Sequence, residues 1–569
     1  MKKVIFIFIT TAMDNSAIAH NLSLLAKLMD IHGDNSFKAK SLSSASYTID
    51  KLPVELSTLT KEKLFALKGI GDSIGKSVLE LIETGRMTSL DKYLVKTPQG
   101  ILEMLSIKGL GPKKISTIWK DLEVESIAEL LYACNENRLL LYKGFGEKTQ
   151  NNIKEAIEFY LSHQGSYLYA QVEEFAGQFD KKIKEKFDKN IFYLTGDFRR
   201  HSLTIDKLEW ITDSSVESIE AFFTKNDYSL EIENNILIAT GEENVALHFH
   251  CTTSELLITK LFETSCSAEF FSAWKGEFGW DETKTFSSEE EIFSLHTIAF
   301  IEPYLRETEL IIEKAKSKSI PEVIVFKDVK GIIHTHSDWS DGSYKIEEMA
   351  KAAIEQGYEY LVISDHSKTA SYAHGLWPDK IKAQHQLIDE LNKKFAPFKI
   401  FKSIESDILS DGSLDYDNDV LASFDLVIAS VHSNLKMAKE KAMMRLLNAI
   451  SNPYTTILGH MTGRMLLGRN GYPVDYEEVI DACAKHNVVI ELNANPRRLD
   501  MDWKWIGLAI EKGVLISIDP DAHFIEGYND ITYGVLAAQK GGLTKANNLS
   551  SFNLQEFEAY LAKKKAKTN

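Results

Sequence analysis

In residues 331–342, GIIHTHSDWSDG, a short apolar run leads into His334 and His336, and Asp341 follows in a Ser-Asp-Gly turn. Side chains on a strand alternate in direction, so residues two apart share a face. The two imidazoles are therefore expected to point the same way, with the turn folding Asp341 back towards them. Imidazole and carboxylate together suit zinc, manganese or iron better than magnesium or calcium. An isolated HxH is usually a pair of ordinary histidines, but the same pattern recurs downstream. LVISDHS delivers His366, IFKSIESD Glu405, DLVIASVHS His432 and YTTILGHM His460, while VLISIDPDAH delivers Asp521 and His523. VVIELNANP ends in Asn493 and Asn495.

Seven β-like runs thus end in metal-competent or amide side chains. Amphipathic segments that read as helices, such as residues 346–356 and 475–486, separate most of them. Strands alternating with helices, with the chemistry collected at the strand ends, is the arrangement of a (β/α) barrel.

HTHSDWSDG, SDHS, ESDILSDGSLDY, SVHSN, LGHMTGRMLLGRNGYPVD, ELNANPRRLD and DPDAH together resemble the PHP (polymerase and histidinol phosphatase) domain. The resemblance is closest to the version at the C-terminus of bacterial family X DNA polymerases. It implies a distorted seven-stranded barrel holding up to three divalent ions. Its nine ligands fall on His334, His336, Asp341, His366, Glu405, His432, His460, Asp521 and His523.

Such a cluster acidifies water and grips the oxygens of a phosphoester. Hydrolysis without a covalent intermediate is expected, since no serine or cysteine sits with an obvious base. The resemblance implies Mn2+ (or Zn2+ or Fe2+) and 3′→5′ exonuclease activity, with 3′-phosphatase and abasic-site cleavage as companions. Arg464, Arg469, Arg497 and Lys368 lie just beyond strand ends. They could hold substrate phosphates or form salt bridges around the mouth. His374, where relatives carry asparagine, is either a further metal contact or a rim residue.

At 569 residues the chain is long enough for about three to four domains. Hydrophobic content of 44% and charged content of 26% are those of ordinary folded protein. A net charge of −17 excludes coating nucleic acid by bulk charge, but not by a local basic patch. Cys134, Cys251, Cys266 and Cys483 form no CxxC pair, which points to a reducing, cytoplasmic setting without a zinc-thiolate site. MKKVIFIFITTA at the start is too short to span a bilayer. It reads as an extension or disordered start over residues 1–14, with a signal peptide as the alternative.

From residue 15 to about 157 the pattern is helical, with Ile18, Leu22, Leu25 and Leu28 marking one buried face. Three short repeats stand out within it: Lys68-Gly69-Ile70-Gly71, Lys108-Gly109-Leu110-Gly111 and Lys143-Gly144-Phe145-Gly146. Two glycines around one apolar residue make a tight hairpin whose amides face outward at a helix start and can hold a phosphate. These are helix-hairpin-helix signatures, which grip DNA without reading its sequence. Lyase activity is not expected, because the Schiff-base lysine of lyase-active relatives aligns with Ser77, beside Lys76.

IFYLTGDFRRHSLTIDKLEW resembles the family's Gly-Ser-x-Arg-Arg motif followed by Asp-x-Asp. Gly196, Arg199 and Arg200 are present, but Asp197 takes the serine position. The catalytic aspartates fall on Lys207 and Glu209, or on Asp206 and Leu208 with a one-residue shift; the third carboxylate falls on Ala246. Nucleotidyl transfer needs clustered carboxylates to clamp two metals, so the polymerase fold is expected to persist without its chemistry. Residual polymerase activity would require Mg2+.

The expected architecture is multidomain α and α/β. Residues 15–95 form a helical domain with the first hairpin, and 96–164 a fingers-like region with two more. An α+β polymerase-like palm and thumb over 165–310 and a linker over 311–330 lead to the (β/α)7 PHP barrel over 331–569. The expected function is a monomeric DNA-repair phosphoesterase and 3′→5′ exonuclease, acting on gapped, nicked or 3′-ended DNA and needing no membrane. A working gap-filling polymerase, a small-molecule phosphatase of the histidinol-phosphatase type and a non-catalytic scaffold are the rivals.

Overall fold

The computed structural model describes residues 14–566, apart from 53, 68, 136–137, 163–164, 225–227, 242–244 and 469. The expected N-terminal extension (except Asp14), Lys68 and Arg469 therefore lie outside the described residues. The chain divides into two compact units, one up to residue 164 and one from residue 165. Among the described residues, no helix is long and apolar enough to cross a membrane.

The first unit is all helical. Three- and four-residue spacing of apolar side chains lets α1 (Asn15–His32) bury Ile18, Leu22, Leu25 and Leu28, and α2 (Ser36–Asp50) packs along it. The helices α3 (Asp72–Thr84), α4 (Pro112–Lys120) and α5 (Glu147–Ser162) each follow one of the three glycine hairpins. One apolar core runs through the unit, from Ile18 to Ile157.

The second unit begins with a five-stranded sheet made of β1 (Phe192–Thr195), β2 (Lys207–Thr212), β3 (Ser229–Glu233), β4 (Ile236–Thr240) and β5 (Ala246–Cys251). Its order is β1-β2-β5-β4-β3, with β2 and β5 parallel and the other pairs antiparallel. Trp210, Phe249, Phe223 and Phe179 fill one face. A helical layer follows around Phe262, Phe270, Trp274 and Phe293, and it encloses the guanidinium of Arg306. Arg306 is fully buried, bonds Glu289 Oε1 at 2.5 Å, and donates from Nε to the Ile301 carbonyl. Removing one partner of such a pair strands the other charge in an apolar setting. Glu289→Ala is therefore expected to cost about 3–5 kcal/mol of stability, read from denaturant melts, and a loss below 1 kcal/mol would refute it.

The stretch expected as a linker, residues 311–330, does not begin as one. A helix at Leu310–Lys316 buries Ile311, Ile312 and Ala315 in the aromatic layer, so its apolar face outweighs the charged residues between.

Seven parallel strands then build the barrel: β6 (Gly331–Thr335), β7 (Tyr360–Ile363), β8 (Lys399–Asp407), β9 (Leu426–Ser430), β10 (Thr455–Leu458), β11 (Val489–Asn493) and β12 (Ile516–Asp519). They pair in chain order, and a bridge between Thr335 and Ala522 links the first strand to the residues after the last. Crossover helices cover the outside, among them α6 (Ile346–Glu355), α7 (Pro378–Phe395), α8 (Lys439–Ser451) and α9 (Tyr476–His486). Alternation splits the strands between two cores: Ile332, Leu361 and Ile363 join the helix-covered one, while Ile333, Tyr360 and Val362 join a second. Phe557 and Leu561 of α10 (Leu554–Ala566) belong to this second core, with Phe557 stacked on Tyr360 at 4.5 Å. Gly331 is required there, because a Cβ would meet the Tyr360 ring at 2.0 Å. Apolar plugging of one part of the interior leaves the C-terminal strand ends for polar groups.

Candidate metal centre

The nine side chains expected from sequence converge in one cluster of four overlapping groups. These are His336, Asp341, His366 and His523; His334, Glu405 and His460; His334, His336 and Asp521; and His366, Glu405 and His432, with the donor atoms of each group within 4.8 Å of one another. Glu405 is the hub. Its Oε1 lies 2.9 Å from His460 Nε2, 3.1 Å from His432 Nε2 and 3.3 Å from His334 Nε2, and its Oε2 lies 2.9 Å from His366 Nδ1.

Strand alternation alone does not aim His334. The pairing register slips between Ile332 and Thr335, and His334 takes a left-handed backbone with φ of 59°. His460 and Asp521 are left-handed too, with φ of 22° and 52°. Non-glycine residues held there store strain, which collects where side-chain direction matters more than backbone comfort.

Burial would raise the Glu405 carboxyl, but His432, His334 and His366 around it hold it well below the usual carboxylate range. Burial pushes His336 down to about 3, with His523 and His366 adding, so its imidazole is neutral and ready to donate a lone pair. His432 goes the other way, to about 10, because Glu405 and Asp407 overcome its burial. The acidic cluster thus demands positive charge, which divalent ions supply while the imidazoles shed their protons. His336 Nδ1 and His460 Nδ1 are buried without hydrogen-bond partners, and six imidazoles with three carboxylates suit borderline divalent cations. The residues present fit such a metal centre.

Several contributors escaped the sequence reading. Glu491 is fully buried, takes His334 Nδ1 on one oxygen, and accepts the His460 backbone N–H at 2.5 Å on the other. Asp407 Oδ1 lies 2.5 Å from His432 Nδ1, and Asn493 Nδ2 donates to Asp521 Oδ2 at 3.2 Å. Carboxylates behind ligating histidines fix ring orientation and raise basicity. Glu491 and Asp407 stand two residues from Asn493 and Glu405 on their strands, so the period of two could have marked both.

The expected phosphate contacts separate. Arg464, in the loop after β10, is spent on the loop after β11, on Asp502 at 2.7 Å and on the carbonyls of Arg498 and Leu499, so the salt-bridge alternative describes it. Lys368 lies over the Tyr416 ring at 5.1 Å, and Arg497 is exposed. Arg498, absent from the sequence-derived candidates, has Nε 3.7 Å from Asp521 Oδ2. His374 is exposed and belongs to none of the ligand groups, which places it on the rim.

The three hairpins share one geometry. Gly69, Gly109 and Gly144 have φ of 93°, 90° and 96°, and Ile70, Leu110 and Phe145 pin each turn into the core. Gly71 and Gly111 cap α3 and α4 with extended backbone and no side-chain cap bond. A Cβ at Gly109, Gly111, Gly144 or Gly146 would meet nothing within 4 Å, so these glycines serve close approach from outside and not internal packing. Ser77 bonds the Ser73 carbonyl at 3.3 Å and offers no amine. Changing Gly109 and Gly111 to valine is expected to weaken DNA binding about tenfold and flatten its salt dependence, measured by anisotropy titrations at several salt concentrations. An unaltered slope would count against the hairpins.

In the five-stranded sheet Lys207 pairs in register with Ala246, and Glu209 is held by Lys207 at 2.8 Å and His250 at 3.0 Å. Asp206 accepts from Ser166 Oγ. Arg199 is bound to Glu289 and Ser265, and Arg200 to Asp197 and Glu307. Among the described residues, no cluster of metal-competent side chains forms on this sheet.

Fold and site define a hydrolytic phosphoesterase barrel joined to a helical DNA-binding module. Residues 13–87 match the helix-hairpin-helix domain family, 101–158 the SAM-like helix-hairpin-helix tandem, and 333–495 the PHP domain. The DNA polymerase/3′-5′ exonuclease PolX of Bacillus subtilis (strain 168) is 34% identical over 584 residues, covering 96% of this chain and 99% of that protein. A probable phosphatase of Thermoanaerobacter sp. (strain X514) is 28% identical over 245 residues, 41% of this chain and 95% of its own. One from Photobacterium profundum is 30% identical over 201 residues, 34% of this chain and 77% of its own. The chain belongs to the family of the PolX DNA polymerase/3′-5′ exonucleases.

Proposed function

We propose that this chain is a DNA-repair 3′→5′ exonuclease and phosphoesterase working through its barrel, with nucleotidyl transfer lost. The convergence of nine donors around Glu405 carries the reading, and the name of the Bacillus subtilis relative supports it. His336, Asp341, His366 and His523 would hold one ion, and the groups sharing His334 and Glu405 the others, up to three in all. The imidazole and carboxylate donors suit Mn2+, Zn2+ or Fe2+, and the resemblance to the bacterial family puts Mn2+ first among them. When bound, such ions draw the phosphoester oxygens in and acidify water for attack near neutral pH.

The chain's own residues do the rest. Glu491 and Asp407 hold His334 and His432 in place. Arg498 offers a fork to a phosphate oxygen beside Asp521, and the hairpin amides take the DNA backbone. Gapped, nicked or 3′-ended DNA is the proposed substrate, and a cytoplasmic monomer the proposed form.

Demetallated protein resupplied with Mn2+ should shorten a gapped substrate from its 3′ end, with the Asp341→Ala variant inactive. Turnover of free phosphomonoesters undisturbed by competing DNA would instead favour a small-molecule phosphatase, as the names of the similar probable phosphatases suggest.

A further inference from the structure

Arg445, on the crossover helix α8, is 1% exposed, and no carboxylate of the described residues is among its hydrogen-bond or ion-pair partners. Its donors go to the backbone. Nε donates to the Leu409 carbonyl at 2.9 Å, one terminal nitrogen to the Ser433 carbonyl at 2.9 Å and Met437 Sδ at 3.5 Å, and the other to the Ile408 carbonyl. Taking a charge out of water is costly, and an apolar side chain of similar volume often serves stability as well or better. Stability alone therefore does not account for a guanidinium here.

The carbonyls it takes give the account. Ile408 follows Asp407, Ser433 follows His432, and Asp407 Oδ1 lies 2.5 Å from His432 Nδ1. One side chain thus ties together the two segments whose residues meet in that bond. Helix α8 also shapes the loop after β8. Asn448, a turn further on, donates to the Asp411 carbonyl at 2.8 Å. At Gly412, with φ of 86°, a Cβ would meet Asn448 Cβ at 2.5 Å and the Arg445 carbonyl at 2.9 Å. Burial lowers the Arg445 pKa while Tyr472 and Asp407 oppose the shift, so Asp407 is the carboxylate that its charge reaches.

We infer that Arg445 is a positioning residue for the ion held by His366, Glu405 and His432. It fixes Asp407 against His432 by gripping the residue after each, and its charge draws the Asp407 carboxylate into place. The inference rests on the metal-centre reading and adds to it what aims one of the ligands.

Mn2+ titration of demetallated full-length protein, followed by calorimetry with bound metal counted by mass spectrometry, tests this without relying on activity. Arg445→Met is expected to weaken one class of Mn2+ sites by about 10–100-fold and to leave the others as in the wild type. Saturating Mn2+ should then restore most of the exonuclease rate. Added to Asp407→Asn, the same substitution should cost less than about a further twofold, because both act on His432. Added to Glu491→Gln, which acts on His334, it should cost its full factor. Should Arg445→Met fail to fold, Arg445→Lys carries the test. Lysine keeps the charge, but its single nitrogen cannot span the three carbonyls, so the same class should weaken about threefold or more. A folded variant that binds every Mn2+ equivalent with wild-type affinity overturns the inference, and so does a full additional loss in the Asp407→Asn background. A wild type that binds Mn2+ as expected but cuts no DNA end removes the exonuclease reading and leaves this inference standing.

Discussion

Glu405→Gln is expected to abolish metal-dependent hydrolysis, with a loss on the order of 10³-fold in kcat and fewer metal equivalents bound per chain. The substitution keeps the size of the side chain, so packing between β7 and β9 is retained. What goes is the negative charge shared by His334, His366, His432 and His460, all within 3.3 Å of one Glu405 oxygen or the other. That one carboxylate belongs to two of the four ligand groups, so its neutralisation weakens more than one ion. Glu491→Gln provides the contrast. Glu491 acts through His334 and the His460 backbone, and its loss should lower metal affinity by about 10–100-fold while saturating metal restores much of the rate. Metal content by mass spectrometry and exonuclease rate across a Mn2+ titration separate the two cases. A Glu405→Gln protein with wild-type metal content and rate would remove the metal-centre assignment.

How much of this could be read beforehand follows from the physics of each element. Barrel strands are buried on both faces, so they appear as apolar runs, and polar residues at their ends stand out; His366, Glu405, His432 and His460 were legible for that reason. The hairpins were legible because Lys-Gly-x-Gly occurs three times with the same apolar pin. Glu491 was passed over because a carboxylate inside a strand looks like any strand residue until its neighbours across the barrel are known. Its partner His334 stands 157 residues away in sequence. The arginines illustrate the same limit. Arg464 and Arg498 are both one strand-end loop from the centre, and only the fold shows that Asp502 and two carbonyls consume the first. The bulge at His334 has no sequence mark at all, because histidine does not favour a left-handed backbone strongly enough to announce one.

Primer extension on gapped DNA is expected to stay at background with either Mg2+ or Mn2+, on the order of 10³-fold or more below a competent polymerase of this family. Two-metal transfer requires carboxylates that converge on cations about 3.5–4 Å apart. Here the paired positions on β2 and β5 are Lys207 and Ala246, and neither can bind a cation. Glu209 retains its charge, since Lys207 and His250 hold its carboxyl low against the effect of burial, but those same partners occupy it. Asp206, just before β2, is poorly placed to replace the missing group, because it is exposed and bonded to Ser166. The two arginines of the matching motif are likewise engaged, Arg199 with Glu289 and Arg200 with Asp197 and Glu307. Glu307 also binds Lys540 of the barrel at 2.6 Å, and Leu203 packs against the barrel core, so this body has a structural role whether or not it carries chemistry. The assay uses the Asp341→Ala variant beside the wild type, so that hydrolysis of the product cannot mask synthesis. Extension that appears in Asp341→Ala and disappears when Glu209→Gln is added would show a working polymerase site, and the proposed loss would be withdrawn.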